Sequence, residues 1–209
     1  MPELPEVETV RIGLQKRFRR KTIVKIEVLK ERTIASEGGS SLFIKKIQNK
    51  KISNWERRGK YLIGQLINPS KKFDGWITVH LRMTGYFKVL KKEIPLCPHT
   101  RVRFWDQTGN EIRFIDVRNF GQLWYTPQNS SPNTAIKGIS KLGPEPLSKN
   151  FNNEYLSIKL KAKKRTIKSA LLDQELIAGI GNIYADESLF DAGINPQREC
   201  RSINDMEIK

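Results

Sequence analysis

The apolar positions change their period along the chain. Over residues 4–18, LPEVETVRIGLQKRF, Val7, Val10, Leu14 and Phe18 recur at spacings of three and four, which predicts an amphipathic helix. Pro5 suits the first turn, where a missing N–H costs nothing, and Glu6 and Glu8 lie at the positive end of the helix dipole. The period then becomes two. Strands are expected at 21–29, 41–47, 60–67, 75–81, 85–90, 101–106, 110–117 and 121–126, separated by Gly, Asn, Asp and Pro clusters. Short strands at this spacing predict an antiparallel sandwich or barrel. Residues 131–147 lie within a Pro-, Ser-, Asn- and Gly-rich stretch and are expected to be a linker between a β-rich domain, 1–130, and a helical one, 148–209.

In the helical part, Ser148 is a plausible N-cap for SKNFNNEYLSIKLKA. TIKSALLDQELIAG and NIYADESLFDAG follow as further helices, with Gly193 placed to end the last one. Ser202 and Asp205 have the spacing of another helix start, with too few residues after it for a self-supporting helix.

Charge then narrows the class. Lys and Arg number 38 against 22 Asp and Glu, a formal net charge of +16 over 209 residues. Such a surface attracts polyanions. No apolar run is long enough for a membrane span, and no secretory signal opens the chain. Cys97 and Cys200 make neither a CxxC pair nor a Cys/His cluster, so no zinc site is expected, and a reduced, cytosolic protein fits best.

Candidate chemistry begins at MPELPE. If Met1 is removed, Pro2 presents a secondary amine, which titrates far below a lysine and can attack an electrophilic carbon. Glu3 beside it could move protons. Met-Pro starts are common, and the dipeptide alone favours no chemistry. Lys60, after Gly59 at a strand entry, could hold a phosphate or donate a proton, although a solvated strand lysine is the commoner case. HLRMTGYF (80–87) and DVRNFGQLW (116–124) place Met83, Arg118 and Phe120 beside glycines, as apolar wedges and a donor fork; core packing explains the two apolar residues equally well. SIKLKAKKRTIK (157–168) is dense in cations suited to phosphate, or to a solvated helix face. In AGIGNIYADE (178–187), backbone N–H groups before a helix could cradle a phosphate, and Asn182 could add its amide.

PELPEVETVR, RRGKYL, HLRMTG, DVRNFG, LGPEPL and LLDQELIAGIGNIYADESLF together resemble the formamidopyrimidine-DNA glycosylase family, in order and across essentially the whole chain. The resemblance is stronger to the 8-oxoguanine branch than to the endonuclease VIII branch. It implies an α+β protein: an N-terminal antiparallel β-sandwich with a leading helix, then an incomplete all-α helix–two-turn–helix domain. The implied activity is base-excision removal of oxidised purines (8-oxoguanine, formamidopyrimidines) from duplex DNA, with lyase cleavage at the abasic site. By resemblance, Pro2 is the nucleophile at C1′, Glu3 the proton donor and shuttle, and Lys60 the proton donor for β-elimination. His99, Arg118, Lys163, Lys168 and Asn182 bind DNA. Met83, Arg118 and Phe120 fill the space of the flipped nucleotide, and Glu6 is an acid near the site. The family's C-terminal zinc finger has no counterpart in these residues. The expectation is therefore a truncated, impaired monomeric relative without structural zinc or any other cofactor, acting on damaged or abasic duplex DNA in a bacterial-type cytoplasm, at the nucleoid. An inactive DNA-binding remnant and an RNA-binding module are the competing readings; the second leaves PELPE and the paired wedge segments unexplained.

Overall fold

The computed structural model describes residues 1–91 and 93–209. The chain divides into two units, Met1–Lys137 and Gly138–Lys209. The expected linker, 131–147, carries two one-turn helices, α3 (Pro132–Ala135) and α4 (Lys137–Ser140).

The first unit opens with α1 (Leu4–Arg17), with Pro5 in its first turn. Val7, Leu14 and Phe18 are buried along the expected face. Among the described residues eight strands follow: β1 (Ile23–Val28), β2 (Lys51–Arg58), β3 (Tyr61–Ile67), β4 (Phe73–His80), β5 (Gly85–Leu90), β6 (Thr100–Asp106), β7 (Glu111–Asp116) and β8 (Gln122–Thr126). They form two four-stranded antiparallel sheets, ordered β1–β6–β7–β5 and β2–β3–β4–β8. Ile23, Phe104 and Phe114 of the first sheet and Ile52, Trp55, Leu62 and Ile77 of the second share one apolar core, so the arrangement is a sandwich.

Two expectations fail here. Residues 41–47 are not a strand but lie in α2 (Gly39–Ile47). Phe43 and Ile47, four apart, are both fully buried while Leu42 is exposed, which is helical spacing. Glu31, in a 3-10 turn (Glu31–Thr33), accepts the Ser40 N–H at 2.8 Å at the helix start. The strand passed over is β2. A register shift between Ile52 and Asn54 brings Ile52 and Trp55, three apart, onto the core side, and this hides the alternation.

α1 lies on β2, an edge strand. The Gln15 side chain accepts the Trp55 N–H at 2.9 Å and donates to Asn54 Oδ1 at 2.9 Å. Arg11 donates to the Trp55 carbonyl at 3.3 Å and to Glu8 at 2.7 Å, and Glu8 also accepts from Arg57 at 3.2 Å. These bonds cap an open sheet edge and fix the start of α1 against the β2–β3 hairpin.

The second unit holds α5 (Asn153–Lys161), α6 (Ile167–Leu171) and α7 (Asn182–Asp191). Leu160, Ile167, Leu176, Leu189, Cys200 and Ile203 form its core. Ser148 is not the cap of α5. Asn152 is, its Oδ1 accepting the Tyr155 N–H at 2.8 Å, while Ser148 donates to the Glu145 carbonyl within the preceding turn. TIKSALLDQELIAG is helical only through Leu171, because Asp173 accepts the Glu175 N–H at 2.9 Å in a turn that replaces the next helical bonds. Gly193, at φ +65°, ends α7 as expected.

The last helix start is displaced from Ser202 to Asn204. Asn204 Oδ1 accepts the Met206 and Glu207 N–H groups at 2.9 and 3.0 Å, and Glu207 accepts the Asn204 N–H at 2.9 Å, a reciprocal capping box. Ile203 and Ile208 flank it on the core side as a hydrophobic staple.

Candidate active site and nucleic-acid interface

Tight geometry at the chain start follows from sequence. Glu3 is the residue before α1, and its backbone N–H donates to Glu6 Oε2 at 2.9 Å. Glu6 is thereby a helix cap as well as an acid near the site. Glu3 itself is buried, at 1% exposure, although carboxylates are seldom buried without a partner or a task. Pro2, immediately before it, is half-buried.

Lys60 lies in the two-residue turn between β2 and β3, where Arg58 faces Tyr61. Gly59 takes φ +54°, a left-handed conformation that glycine adopts at no steric cost, and its carbonyl accepts from Arg57 at 2.9 Å. Lys60 is therefore not a solvated strand lysine. It is buried, and burial pulls its ammonium below the usual lysine range while the negative charge of Glu3 works the other way. Glu3 and Lys60 thus act on one another electrostatically.

His80, which opens the HLRMTG motif but was given no role there, belongs to the same cluster. It sits opposite Tyr61 in the β3–β4 ladder, with ring centroids 4.4 Å apart, edge to face. Its Nδ1 accepts the Arg82 N–H at 3.0 Å, which leaves Nε2 to carry the proton. Burial, reinforced by the charges of Arg82 and Lys60, lowers its pKa to about 3, so it is a neutral imidazole at pH 7. The available signal was HLR following an apolar strand, a polar ring where an inward residue was due.

Met83 and Phe120 are 41% and 44% exposed, which excludes core packing for both. Arg118 joins them: its Nη1 is 2.9 Å from Met83 Sδ, and its guanidinium carbon lies 5.2 Å from the Phe120 ring centre. The loops carrying them are clasped by Asp116, which is fully buried. Asp116 accepts from the Thr84 hydroxyl and, at 2.6 Å, from the Gly121 N–H; the Thr84 oxygen in turn accepts the Arg118 N–H at 3.0 Å. The glycines of HLRMTG and DVRNFG permit this approach. A Cβ on Gly85 would stand 2.4 Å from the Leu81 carbonyl oxygen, and one on Gly121 would stand 2.5 Å from the Phe114 ring. A cleft of about 410 Å³ opens beside these loops, lined by Met1, Arg32, Arg82, Met83, Asn119, Phe120 and Gln122. The chain terminus and the wedge therefore face one space. His99 is half-buried at the entry to β6, its carbonyl accepting the Asp116 N–H at 2.9 Å.

Lys163, Lys168 and Asn182 lie in the second unit. Lys163 is half-buried in the turn after α5. Lys168 Nζ pairs with Asp186 at 2.7 Å, and Asn182 is exposed at the first position of α7, one helical turn before Asp186. Gln174, unremarked in the sequence, holds the GIG turn: it accepts the Gly179 N–H at 3.0 Å and donates to the Ile180 carbonyl at 2.7 Å. LGPEPL supports the same turn, since the Gly143 N–H donates to the Gln174 carbonyl at 2.8 Å. A Cβ on Gly143 would stand 2.5 Å from the Glu175 carbonyl oxygen.

Two family models match: the formamidopyrimidine-DNA glycosylase N-terminal domain over residues 1–123, and the formamidopyrimidine-DNA glycosylase H2TH domain over residues 142–209. Formamidopyrimidine-DNA glycosylase of Prochlorococcus marinus strain NATL2A is 59% identical over 209 residues, covering all of this chain and 74% of the relative. The protein of that name from strain MIT 9211 is 55% identical over 213 residues, with the same coverage. Among solved structures, Lactococcus lactis Fpg bound to DNA containing an abasic site superposes with a TM-score of 0.88 at 33% identity, covering 99% of this chain and 72% of that one. The wild-type enzyme with DNA containing N7-benzyl-Fapy-dG gives 0.89 at 33% identity, covering 99% and 73%. With both domain models matched in order, and the buried Glu3, the Gly59–Lys60 turn and the Met83–Arg118–Phe120 cluster formed by the motifs that carried the resemblance, this chain belongs to the formamidopyrimidine-DNA glycosylase family.

Proposed function

We infer that the chain is a base-excision-repair DNA glycosylase with lyase activity, acting on duplex DNA that contains oxidised purines or abasic sites. The observation that carries the reading is the shared cleft: the terminus bearing Pro2 opens beside Met83 and Phe120, while the buried Glu3 acts electrostatically on Lys60.

Chemistry follows from those positions. With Met1 removed, the Pro2 amine attacks C1′ of the damaged nucleoside as the base departs, and Glu3 supplies the proton that opens the sugar ring. The product is an iminium joining Pro2 to C1′. Glu3, now a carboxylate, takes a C2′ proton, and the 3′ phosphate leaves by β-elimination with Lys60 as its proton donor. Glu3 is buried away from bulk water, and burial loosens the hold of Lys60 on its proton. Met83 and Phe120 occupy the gap left by the extruded nucleotide, and the Arg118 fork faces the orphaned base. His99, Lys163, Lys168 and Asn182 contact the backbone, Lys168 exchanging Asp186 for phosphate.

The reading includes no metal. Cys97 and Cys200 lie in different units, and Cys200 is packed among apolar side chains with its thiol pKa raised by burial, which disfavours the thiolate a metal needs. Metal analysis of the purified chain checks this. The protein works at the nucleoid of a bacterial cytoplasm. Strand scission of a duplex bearing 8-oxoguanine opposite cytosine tests the activity: cleavage lost in Pro2→Gly and in Glu3→Gln supports it. DNA binding without cleavage would identify an inactive remnant.

A further inference from the structure

Arg32 stands apart from the other cations of the wedge cleft. Arg82 donates to Gln122 at 2.8 Å, and Arg118, outside the cleft lining, contacts Met83 and the Phe120 ring. The exposed Arg32 side chain has no hydrogen bond or ion pair among the described residues, yet it lines the cleft. The adjacent acid does not neutralise it: Glu31 turns to the start of α2, where its bonds with Ser40 hold it below the usual carboxylate range. Among the described residues, no carboxylate lines the cleft.

The platform beneath Arg32 is firm. Thr33 and Ile34 are buried, Ile34 bridges Leu123, and the Ala35 N–H donates to the Leu123 carbonyl at 2.8 Å. Leu123 follows Gln122, so the turn carrying Arg32 is tied to the strand that leaves the wedge loop. A guanidinium reaching from an anchored turn offers several donors in a planar fork, whose natural acceptor is a phosphate oxygen.

We propose that Arg32 binds a backbone phosphate of the duplex entering the wedge cleft, adding affinity without reading sequence or damage. The proposal rests on the glycosylase reading above. The test is duplex binding across a salt series for the wild type, Arg32→Ala, Arg32→Lys and Lys71→Ala, with lesion-bearing and undamaged DNA. Lys71 is an exposed control in the turn before β4, separated from the His80 end by eight residues of strand, roughly 25 Å at a strand's rise per residue. One lost phosphate contact lowers the slope of log K against log salt by about 0.9. Arg32→Ala is expected to show that drop, with the same fold-loss of affinity on both DNAs. Arg32→Lys is expected to retain the slope, and Lys71→Ala to match the wild type. A wild-type slope in Arg32→Ala, an equal drop in Lys71→Ala, or a loss confined to lesion DNA would overturn it. Absence of duplex binding by the wild type would instead remove the glycosylase reading, and this inference with it.

Discussion

His80 makes acid stability a direct probe of the site. Folded, its ring is neutral down to a pKa of about 3; unfolded, it takes a proton near the ordinary 6.5. Between those values the unfolded chain binds the extra proton, so stability falls as pH falls through this window. One pKa unit is worth about 1.4 kcal/mol, so lowering the pH from 7 to 4.5 costs the wild type about 2.7 kcal/mol through this group. The comparison is His80→Asn, whose Oδ1 can still accept the Arg82 N–H but cannot titrate. Urea unfolding followed by tryptophan fluorescence reads the right unit, because Trp55, Trp76, Trp105 and Trp124 all lie within Met1–Lys137. The variant starts less stable for want of the Tyr61 contact, but the wild type is expected to lose about 2.7 kcal/mol more over the pH interval. Equal losses would refute the buried, neutral His80.

Lys60 donates a proton from a pKa held below the lysine range, so strand scission is expected to fall as pH rises through that lowered value. Lys60→Arg keeps the charge but cannot give up a proton, so it is expected to bind the duplex and lose strand scission at every pH; undiminished scission would remove Lys60 from that role. Asp116→Ala leaves the Thr84 and Gly121 donors without their carboxylate and is expected to cost about 1.5–3 kcal/mol per charged hydrogen bond lost, read by the same fluorescence, with loss of lesion cleavage. Gly143→Ala forces a Cβ toward the Glu175 carbonyl and is expected to destabilise the helical unit by about 1–3 kcal/mol, visible as a lowered Tm in circular dichroism, while the tryptophan transition stays in place.

Where local pattern and packing agreed, the fold was legible in sequence. α1 shows its buried face in the spacing of Val7, Leu14 and Phe18, and strands such as β7 show their period in Ile112 and Phe114, two apart between turn residues. The α2 and β2 regions misled for different reasons: α2 is short, and the helical spacing of its buried Phe43 and Ile47 spans a single turn, while the β2 register shift places Ile52 and Trp55 on one face and breaks the strand's alternation. Caps misled for a related reason. Ser148, Asn152, Ser202 and Asn204 are all competent caps, and only the backbone geometry decides between them.

For the site, Pro2, Glu3, Lys60, Met83, Arg118 and Phe120 were visible as motif residues. The roles of their supports were not. Asp116, Thr84, His80 and Gln174 lie inside the same motifs, but nothing in the spacing shows which of them the fold uses as clasps, and the Thr84–Asp116 bond joins residues 32 apart. Glycine was the one structural hint available, since Gly85, Gly121 and Gly143 mark the places where another segment approaches too closely for a Cβ.

The most direct measurement is borohydride trapping. Purified protein, with Met1 removal verified by intact mass, is mixed with a duplex carrying 8-oxoguanine opposite cytosine, reduced, and weighed. The account predicts a covalent protein–DNA adduct whose attachment maps to Pro2 and which disappears in Pro2→Gly. A folded, processed protein that binds the duplex and yields no adduct, or an adduct mapping to a lysine, would contradict it.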